Sequence, residues 1–178
     1  MKAHIYTQLE LPQCIVAIGA FDGVHRGHQA VIRQAVQRGR KLNIPSVVFT
    51  FDPPPRVFFQ GARMLNTVDE KLMKMQKLGV KHTIVARFDE VYTKRSAYDF
   101  IDCLVKLNPA EIMVGGDFRF GKDRLGDISL LEKYFNVRVA KPVCCSQGSV
   151  ISSSRIRQLI SEGEIHLSNA LLGWPAGK

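Results

Sequence analysis

The chain has 178 residues, 46% of them hydrophobic and 23% charged. That balance suits one compact domain with a sizeable core and excludes collagen-like, low-complexity and largely disordered chains. Lysine and arginine total 25 against 16 aspartate and glutamate, a net charge of +9 that favours anionic partners. No apolar run approaches the ~20 residues that cross a bilayer, and no apolar signal core follows the N-terminal Met1-Lys2-Ala3. The basic residues are scattered from Arg33 to Arg157 without a dense block, which argues against a nucleic-acid arm. Cys14, Cys103, Cys144 and Cys145 form no Cys-x-x-Cys pair, so free thiols in a reducing cytoplasm are expected.

Short apolar runs punctuate the chain: Cys14–Gly19, Ser46–Phe51, Thr83–Ala86, Glu111–Gly115 and a shorter Val137–Ala140. Their length and Val/Ile content predict strands buried on both faces. Between them, the spacing predicts a helix over 28–41 with Val31, Ile32, Ala35 and Val36 on one face and Arg33, Arg38 and Arg40 off it. A second helix over 67–78 opens on a Thr67/Glu70 capping-box pattern; it is expected to bury Leu72, Met75 and Leu78 and expose Lys71, Lys74 and Lys77. A third spans 96–107, and two more are expected over 154–161 and 165–172, separated near Gly163. Alternation of strand and helix without a linker or internal repeat predicts one α/β domain over residues 1–178: a Rossmann-like, doubly wound, mainly parallel sheet with helices on both faces. Ligands of such sheets bind beyond the carboxyl ends of the strands, so the loops that follow strands carry the chemistry.

Four such segments stand out. Gly19-Ala20-Phe21-Asp22-Gly23-Val24-His25-Arg26-Gly27-His28 links the first strand to the first helix, where backbone N–H groups and glycines make an anion site. It lacks both the dinucleotide glycine pattern and the Gly-Lys-Ser/Thr of a Walker loop, and its two histidines are suited to donating hydrogen bonds to phosphate. Asp52-Pro53-Pro54-Pro55-Arg56-Val57-Phe58-Phe59 reads either as a rigid turn with core phenylalanines or as a stiff apolar wall for a flat ring. Gly115-Gly116-Asp117-Phe118-Arg119-Phe120-Gly121-Lys122 crowds glycines, a carboxylate, two aromatics and two cations together. Ile151-Ser152-Ser153-Ser154-Arg155-Ile156-Arg157 reads as a capped helix start, or, beside the histidine loop, as a second phosphate clamp.

In this order and spacing, Phe21–Gln29, Phe51-x-Pro53-x-Pro55-Arg56, Val114–Gly121 and Ile151–Arg157 resemble the FMN adenylyltransferase (FAD synthetase) module of bacterial bifunctional riboflavin kinase/FAD synthetases. The resemblance runs from about Cys14 to Gly173. It implies AMP transfer from ATP to FMN, giving FAD and pyrophosphate with magnesium. It implies His25, His28 and Arg157 as catalytic residues, and Gly19, Phe21, Asp22, Gly23, His25, His28, Ser153, Ser154, Arg155 and Arg157 as the ATP site. Pro53, Pro55, Phe59, Asp117 and Phe120 would line the FMN site, and no protein ligand of magnesium is assigned. Where the family carries Glu-Pro-His-Pro, this chain has Asp52-Pro53-Pro54-Pro55. The family's riboflavin kinase β-barrel would begin just after Leu171-Leu172-Gly173; the expectation is a cytoplasmic adenylyltransferase supplied with FMN by a separate kinase, the alternative being one domain of a longer chain. No nucleic-acid or membrane partner is expected. Two other readings use the same features: adenylyl transfer to a different phosphorylated acceptor, and a non-catalytic binder of nucleotide or nucleic acid.

Overall fold

The computed structural model describes residues 1–5 and 9–174. Tyr6, Thr7 and Gln8, the end of the N-terminal stretch read for a signal core, lie outside the described residues. Six strands, β1 (Lys2–Ile5), β2 (Cys14–Ile18), β3 (Ser46–Asp52), β4 (His82–Arg87), β5 (Pro109–Gly115) and β6 (Val137–Ala140), form one sheet in the order β1-β4-β3-β2-β5-β6. Every pairing is parallel. The five expected strands are present. The sixth, β1, is an edge strand of four residues paired with β4, and it has no apolar run to announce it.

The helices are α1 (Arg26–Leu42), α2 (Pro55–Gln60), α3 (Val68–Lys77), α4 (Glu90–Thr93), α5 (Ala97–Val105), α6 (Ile128–Glu132), α7 (Ser153–Ser161) and α8 (Ile165–Leu172). Three of these, α2, α4 and α6, were not expected, because four to six residues are too few to display a helical period. The period-2 alternation of the strands divides two cores. Val16, Ile18, Phe49, Ile84 and Ile112 pack with Phe100, Ile101 and Leu104 of α5 on one face. Ile15, Ala17, Val48 and Met113 pack with Val31, Ile32 and Ala35 of α1 and Met75 of α3 on the other. This explains why β2 is apolar throughout.

The connections set the position of the site. From β2 the chain steps through β3 to β4 with α1 and α3 on one face; it then returns across β2 to β5 and β6 with α5 and α6 on the other. Right-handed crossovers require that change of face when the direction of winding reverses. The loops leaving β2 and β5 therefore diverge at the carboxyl edge, which opens a crevice there.

Local capping matches the sequence closely. Thr67 and Glu70 form the capping box of α3, and Ser96 and Asp99 form another at α5. At the end of α1, a Cβ on Gly39 would stand 2.8 Å from the Ile44 carbonyl oxygen, so only glycine lets the turn into β3 close this tightly. The burial expected of α3 is met only in part: Met75 is buried, Leu72, Lys74 and Leu78 are half-buried, and Lys71 is 1% exposed rather than solvated. It shares a helical face with Met75 and Leu78, four and seven residues on, and its length carries the ammonium to carbonyl groups beyond the apolar stripe.

Glu111 of β5 is also buried, held between Arg38 Nε at 2.8 Å and Arg138 Nε at 2.6 Å. The Arg38 hydrogen bond, followed by Arg138, holds its carboxyl below the ordinary value of 4.5 against the effect of burial. A carboxylate lowered in this way stabilises the fold above its unfolded pKa, and that contribution is lost as pH falls through the folded value. Glu111→Gln is expected to lower stability at neutral pH by about 2 kcal/mol. The deficit should shrink below the ordinary value of 4.5. Urea denaturation on both sides of that value measures it, and an equal deficit on both sides would exclude the charge as the cause.

Candidate active site

The loop leaving β2 is built from backbone conformations that regular structure does not use. Phe21 (φ 49°) and Val24 (φ 45°) are left-handed, as is Gly23 (φ 83°), around a short turn over Asp22–Val24. The Phe21 ring folds back over Gly19, where a Cβ would lie 3.0 Å from it; Gly19 is thus required by the ring, not by its own dihedrals. His25 then caps α1, its Nδ1 accepting from the His28 N–H at 3.3 Å. An accepting Nδ1 leaves the proton on Nε2. The two imidazoles stack at 3.6 Å with an interplanar angle of 20°, and Phe21 meets His28 edge-on at 5.3 Å.

Burial pushes His25 down to about 4. Burial, followed by the charges of His25 and Lys71, holds His28 well below its ordinary value. Both rings are therefore neutral near pH 7 and act as N–H donors, not as cations. His28 Nδ1 is buried with no hydrogen-bond partner among the described residues.

The start of α7 closes over this loop. Ser153 Oγ donates to the Asp22 carbonyl oxygen at 2.9 Å. Arg157 pairs with the Asp22 carboxylate through Nη2, and its Nε donates to the Arg63 carbonyl oxygen at 2.7 Å. The other Asp22 oxygen accepts from the Leu65 N–H at 3.1 Å. Burial raises the Asp22 pKa, while the Leu65 N–H, Arg157 and Lys71 oppose that rise. Gly19, Phe21, Asp22, Gly23, His25, His28, Ser153 and Arg157 thus form one neighbourhood, with Ser154 exposed at the helix start. Arg155 is engaged elsewhere: its Nη1 donates to Cys145 Sγ at 3.1 Å and to the Ser149 carbonyl oxygen at 3.4 Å, in the hairpin over residues 144–150. That contact lowers the Cys145 thiol pKa.

The sequence reading missed the residues that hold the loop from behind. Asn66 Oδ1 accepts the Gly23 N–H. Gln29 Nε2 donates to the carbonyl oxygens of Val24 (3.0 Å) and Leu172 (2.8 Å), and Trp174 Nε1 also reaches Val24 O at 2.8 Å. Lys71 Nζ donates to Ala20 O at 3.2 Å and to Phe51 O at 2.9 Å. For Lys71 a signal existed, since its helical period with Met75 and Leu78 places it on the buried face. Gln29 closes the Phe21–Gln29 motif but its role was not read from it, and Asn66 had no signal, because the partners of both are backbone atoms of a loop.

The expected flavin side divides into two groups. Pro53 and Pro55 flank the buried Pro54, and Pro55 opens α2. Phe58 and Phe59 do not join the core: they are 37% and 65% exposed and pack edge-on against Phe88 at 5.6 and 5.7 Å. The result is an aromatic wall at the carboxyl ends of β3 and β4. Asp117 is exposed in the turn after β5. Phe120 is 7% exposed and belongs to the core, its ring 5.2 Å from Phe100 and 5.5 Å from Phe118. It is pinned against Gly126, where a Cβ would fall 2.6 Å from the ring. Among the described residues, no group of three His, Cys, Asp or Glu side chains could hold a metal ion.

Comparison with known proteins places these features in a family. The FAD synthetase family model matches residues 7–155. A chain of Geobacillus thermodenitrificans (strain NG80-2) that carries the provisional name bifunctional riboflavin kinase/FMN adenylyltransferase is 56% identical over 176 residues, 98% of each chain. The bifunctional riboflavin kinase/FMN adenylyltransferase of Escherichia coli (strain K12) is 37% identical over 182 residues, which cover 97% of this chain and 58% of that one. Among solved structures, a macrolide-efflux protein from Streptococcus pneumoniae superposes with a TM-score of 0.86 at 29% identity, over 98% of this chain and 63% of that one. Pantothenate synthetase from Thermus thermophilus shares the fold at a TM-score of 0.56 and 14% identity, over 97% of this chain and 82% of that one. The chain belongs to the FAD synthetase family.

Proposed function

We propose that this chain transfers the AMP moiety of ATP to the phosphate of FMN, releasing pyrophosphate and forming FAD. The observation that carries the reading is the pairing of two neutral, stacked histidines at the start of α1 with Ser153 and Arg157 at the start of α7, in a chain of the FAD synthetase family. An FMN phosphate oxygen, already anionic, forms the new bond to the α-phosphorus. The bond from that phosphorus to the bridging oxygen breaks, and its electron pair leaves with pyrophosphate. No proton has to be removed from the nucleophile, so no general base is needed.

The residues' task is to bring two polyanions into line and to stabilise charge on the α-phosphate. His25 and His28 supply N–H donors whose orientation is fixed by packing before substrate arrives, so little reorganisation is spent during transfer. Arg157 has N–H groups beyond the two that hold Asp22 and Arg63, and with Ser153 and Ser154 it would grip the triphosphate from the opposite helix start. Gly19, Phe21, Asp22 and Gly23 shape the nucleotide loop. Arg155 would join only by leaving Cys145. Pro53, Pro55 and Phe59 would face the isoalloxazine ring and Asp117 its polar edge, while Phe120 would support that side from the core. Magnesium enters as part of the substrate, bound to the ATP phosphates and water; the described residues offer no carboxylate cage for it. The reading puts the chain in the cytoplasm with four free thiols, with FMN coming from a riboflavin kinase activity and neither nucleic acid nor membrane as a partner. No described helix is long and apolar enough to cross a membrane.

Incubating the purified chain with ATP, magnesium and either FMN or riboflavin, followed by chromatography, tests the reading. FAD from FMN and no product from riboflavin is expected; no FAD from a folded chain would move the assignment to another phosphorylated acceptor or to a non-catalytic nucleotide binder. His28→Ala should cut turnover by about a hundredfold or more while FMN affinity, read from flavin fluorescence, changes only a few-fold. Equal losses in both would refute the role. Arg157→Ala should raise the KM for ATP and also destabilise the fold by about 3 kcal/mol, because it leaves the Asp22 carboxylate buried and unpaired. Adding Asp22→Asn should return part of that stability in urea denaturation, but not the ATP affinity.

A further inference from the structure

Lys71 is a buried cation that the transfer step does not use. It lies in the apolar stripe of α3 and is 1% exposed. Burying an ammonium group is costly unless it is fully matched. A leucine or methionine would fill the stripe without that cost. What the ammonium does that a hydrocarbon cannot is tie the loop carrying the histidines to the end of a strand: it donates to Ala20 O at 3.2 Å in that loop and to Phe51 O at 2.9 Å near the end of β3, just before the proline and aromatic wall. These are the expected ATP half and FMN half of the site. The titratable groups facing it are the carboxylates of Asp22, from the loop after β2, and Asp52, from β3, together with the neutral imidazole of His28 from α1.

We propose that Lys71 is a positioning residue for adenylyl transfer: its ammonium fixes the ATP loop against the FMN loop, so that the attacking phosphate and the α-phosphorus are held in line, and it supplies buried positive charge beneath the phosphates. The proposal rests on the FMN adenylyltransferase reading. In-line transfer between two separately bound substrates is sensitive to their relative placement, where an error of about 1 Å costs roughly a hundredfold in rate. Thr50 Oγ also donates to Ala20 O at 3.0 Å, so the tie is made by a strand residue and a helix residue together. Burial lowers Lys71 to about 8, with Asp22 and Asp52 opposing. Raising pH through that value removes the charge and leaves a neutral amine.

Lys71→Met keeps the length and removes the charge. The expected result is a kcat reduced by roughly a hundredfold, with dissociation constants for FMN and ATP changed by less than about fivefold, and partial recovery of kcat in Lys71→Arg. In the wild type, kcat/KM for ATP should fall as pH rises past about 8, and Lys71→Met should lack that limb. A kcat close to wild type in Lys71→Met, losses of binding and kcat in equal proportion, or a limb that persists in the variant would each overturn the proposal; the last would assign the limb to another group, such as Lys74, whose pKa burial also lowers. Should Lys71→Met fail to fold, the wild-type profile decides, and its flatness between about pH 7.5 and 9.5 overturns the proposal. Absence of FAD from the wild type overturns the parent reading and this one with it, whereas an active wild type beside an equally active variant overturns this one alone.

Discussion

The site depends on backbone accounting in the loop between β2 and α1. Residues 20–24 satisfy little of their own backbone: Val24 N–H reaches Phe21 O at 3.2 Å, but three of the residues are left-handed and none joins the sheet ladder. A buried loop of that kind is tolerated only when each polar group finds a partner elsewhere. Here the partners are gathered from across the chain. Thr50 and Lys71 take Ala20 O, Ser153 takes Asp22 O, Asn66 takes Gly23 N–H, and Gln29 and Trp174 take Val24 O. The loop that presents the histidines is therefore where α3, α7 and the segment after α8 meet. Its rigidity is a tertiary property: Asp22 O and Gly23 N–H each rest on one side chain, while Ala20 O and Val24 O are each held by two.

Electrostatics follow from the same enclosure. Low local polarity strips charge from both imidazoles and makes Asp22 costly to bury, so Asp22 is matched by Arg157 on one side and by the Lys71 charge below. The cations lie around and beneath the loop, while the histidines that face one another stay neutral. The loop thus offers N–H dipoles backed by cations, with no charge on the donors themselves. The general excess of +9 adds long-range attraction for anions but does not select among them. Selection has to come from shape, and the exposed Phe58 and Phe59, packed on the half-buried Phe88, put apolar surface at the carboxyl ends of β3 and β4.

What the sequence made legible follows from which interactions are local. Apolar runs revealed the buried strands, and side chains three residues apart revealed the capping box of α3, since both signals sit within a few residues. The edge strand β1 needs only backbone pairing with β4, so its composition carries no mark. Lys71 was misread because a lysine was assumed to be solvated, although its helical period placed it with Met75. Phe58 and Phe59 were open between core and wall; they stand exposed on a helix, α2, that buries none of its residues, and they pack against Phe88. Phe120, grouped with the flavin side by its motif, is an interior residue that pins its loop to Gly126. Arg155 and Arg157, two residues apart at one helix start, are drawn to different partners, a thiol and a carboxylate, that only tertiary structure brings near.

The fold alone does not determine which acceptor is used. Pantothenate synthetase shares this architecture at 14% identity, and at that distance only the sheet and its crossovers are common ground. The reversal of winding at β2 and β5 guarantees a crevice, and a helix starting at its lip makes that crevice receptive to anions. Everything more specific is carried by what each strand end presents. The loop after β2 presents stacked histidines, β3 continues into three prolines and α2, and β5 runs into a glycine turn anchored by Phe120. Lys71 ties the first of these loops to the end of β3, so the histidine loop and the start of the proline segment share one anchor. A change of acceptor on this scaffold would therefore have to alter the β3 loop while leaving the Phe51 carbonyl within reach of Lys71. That requirement bears on main-chain placement, which side-chain substitutions within the wall need not disturb.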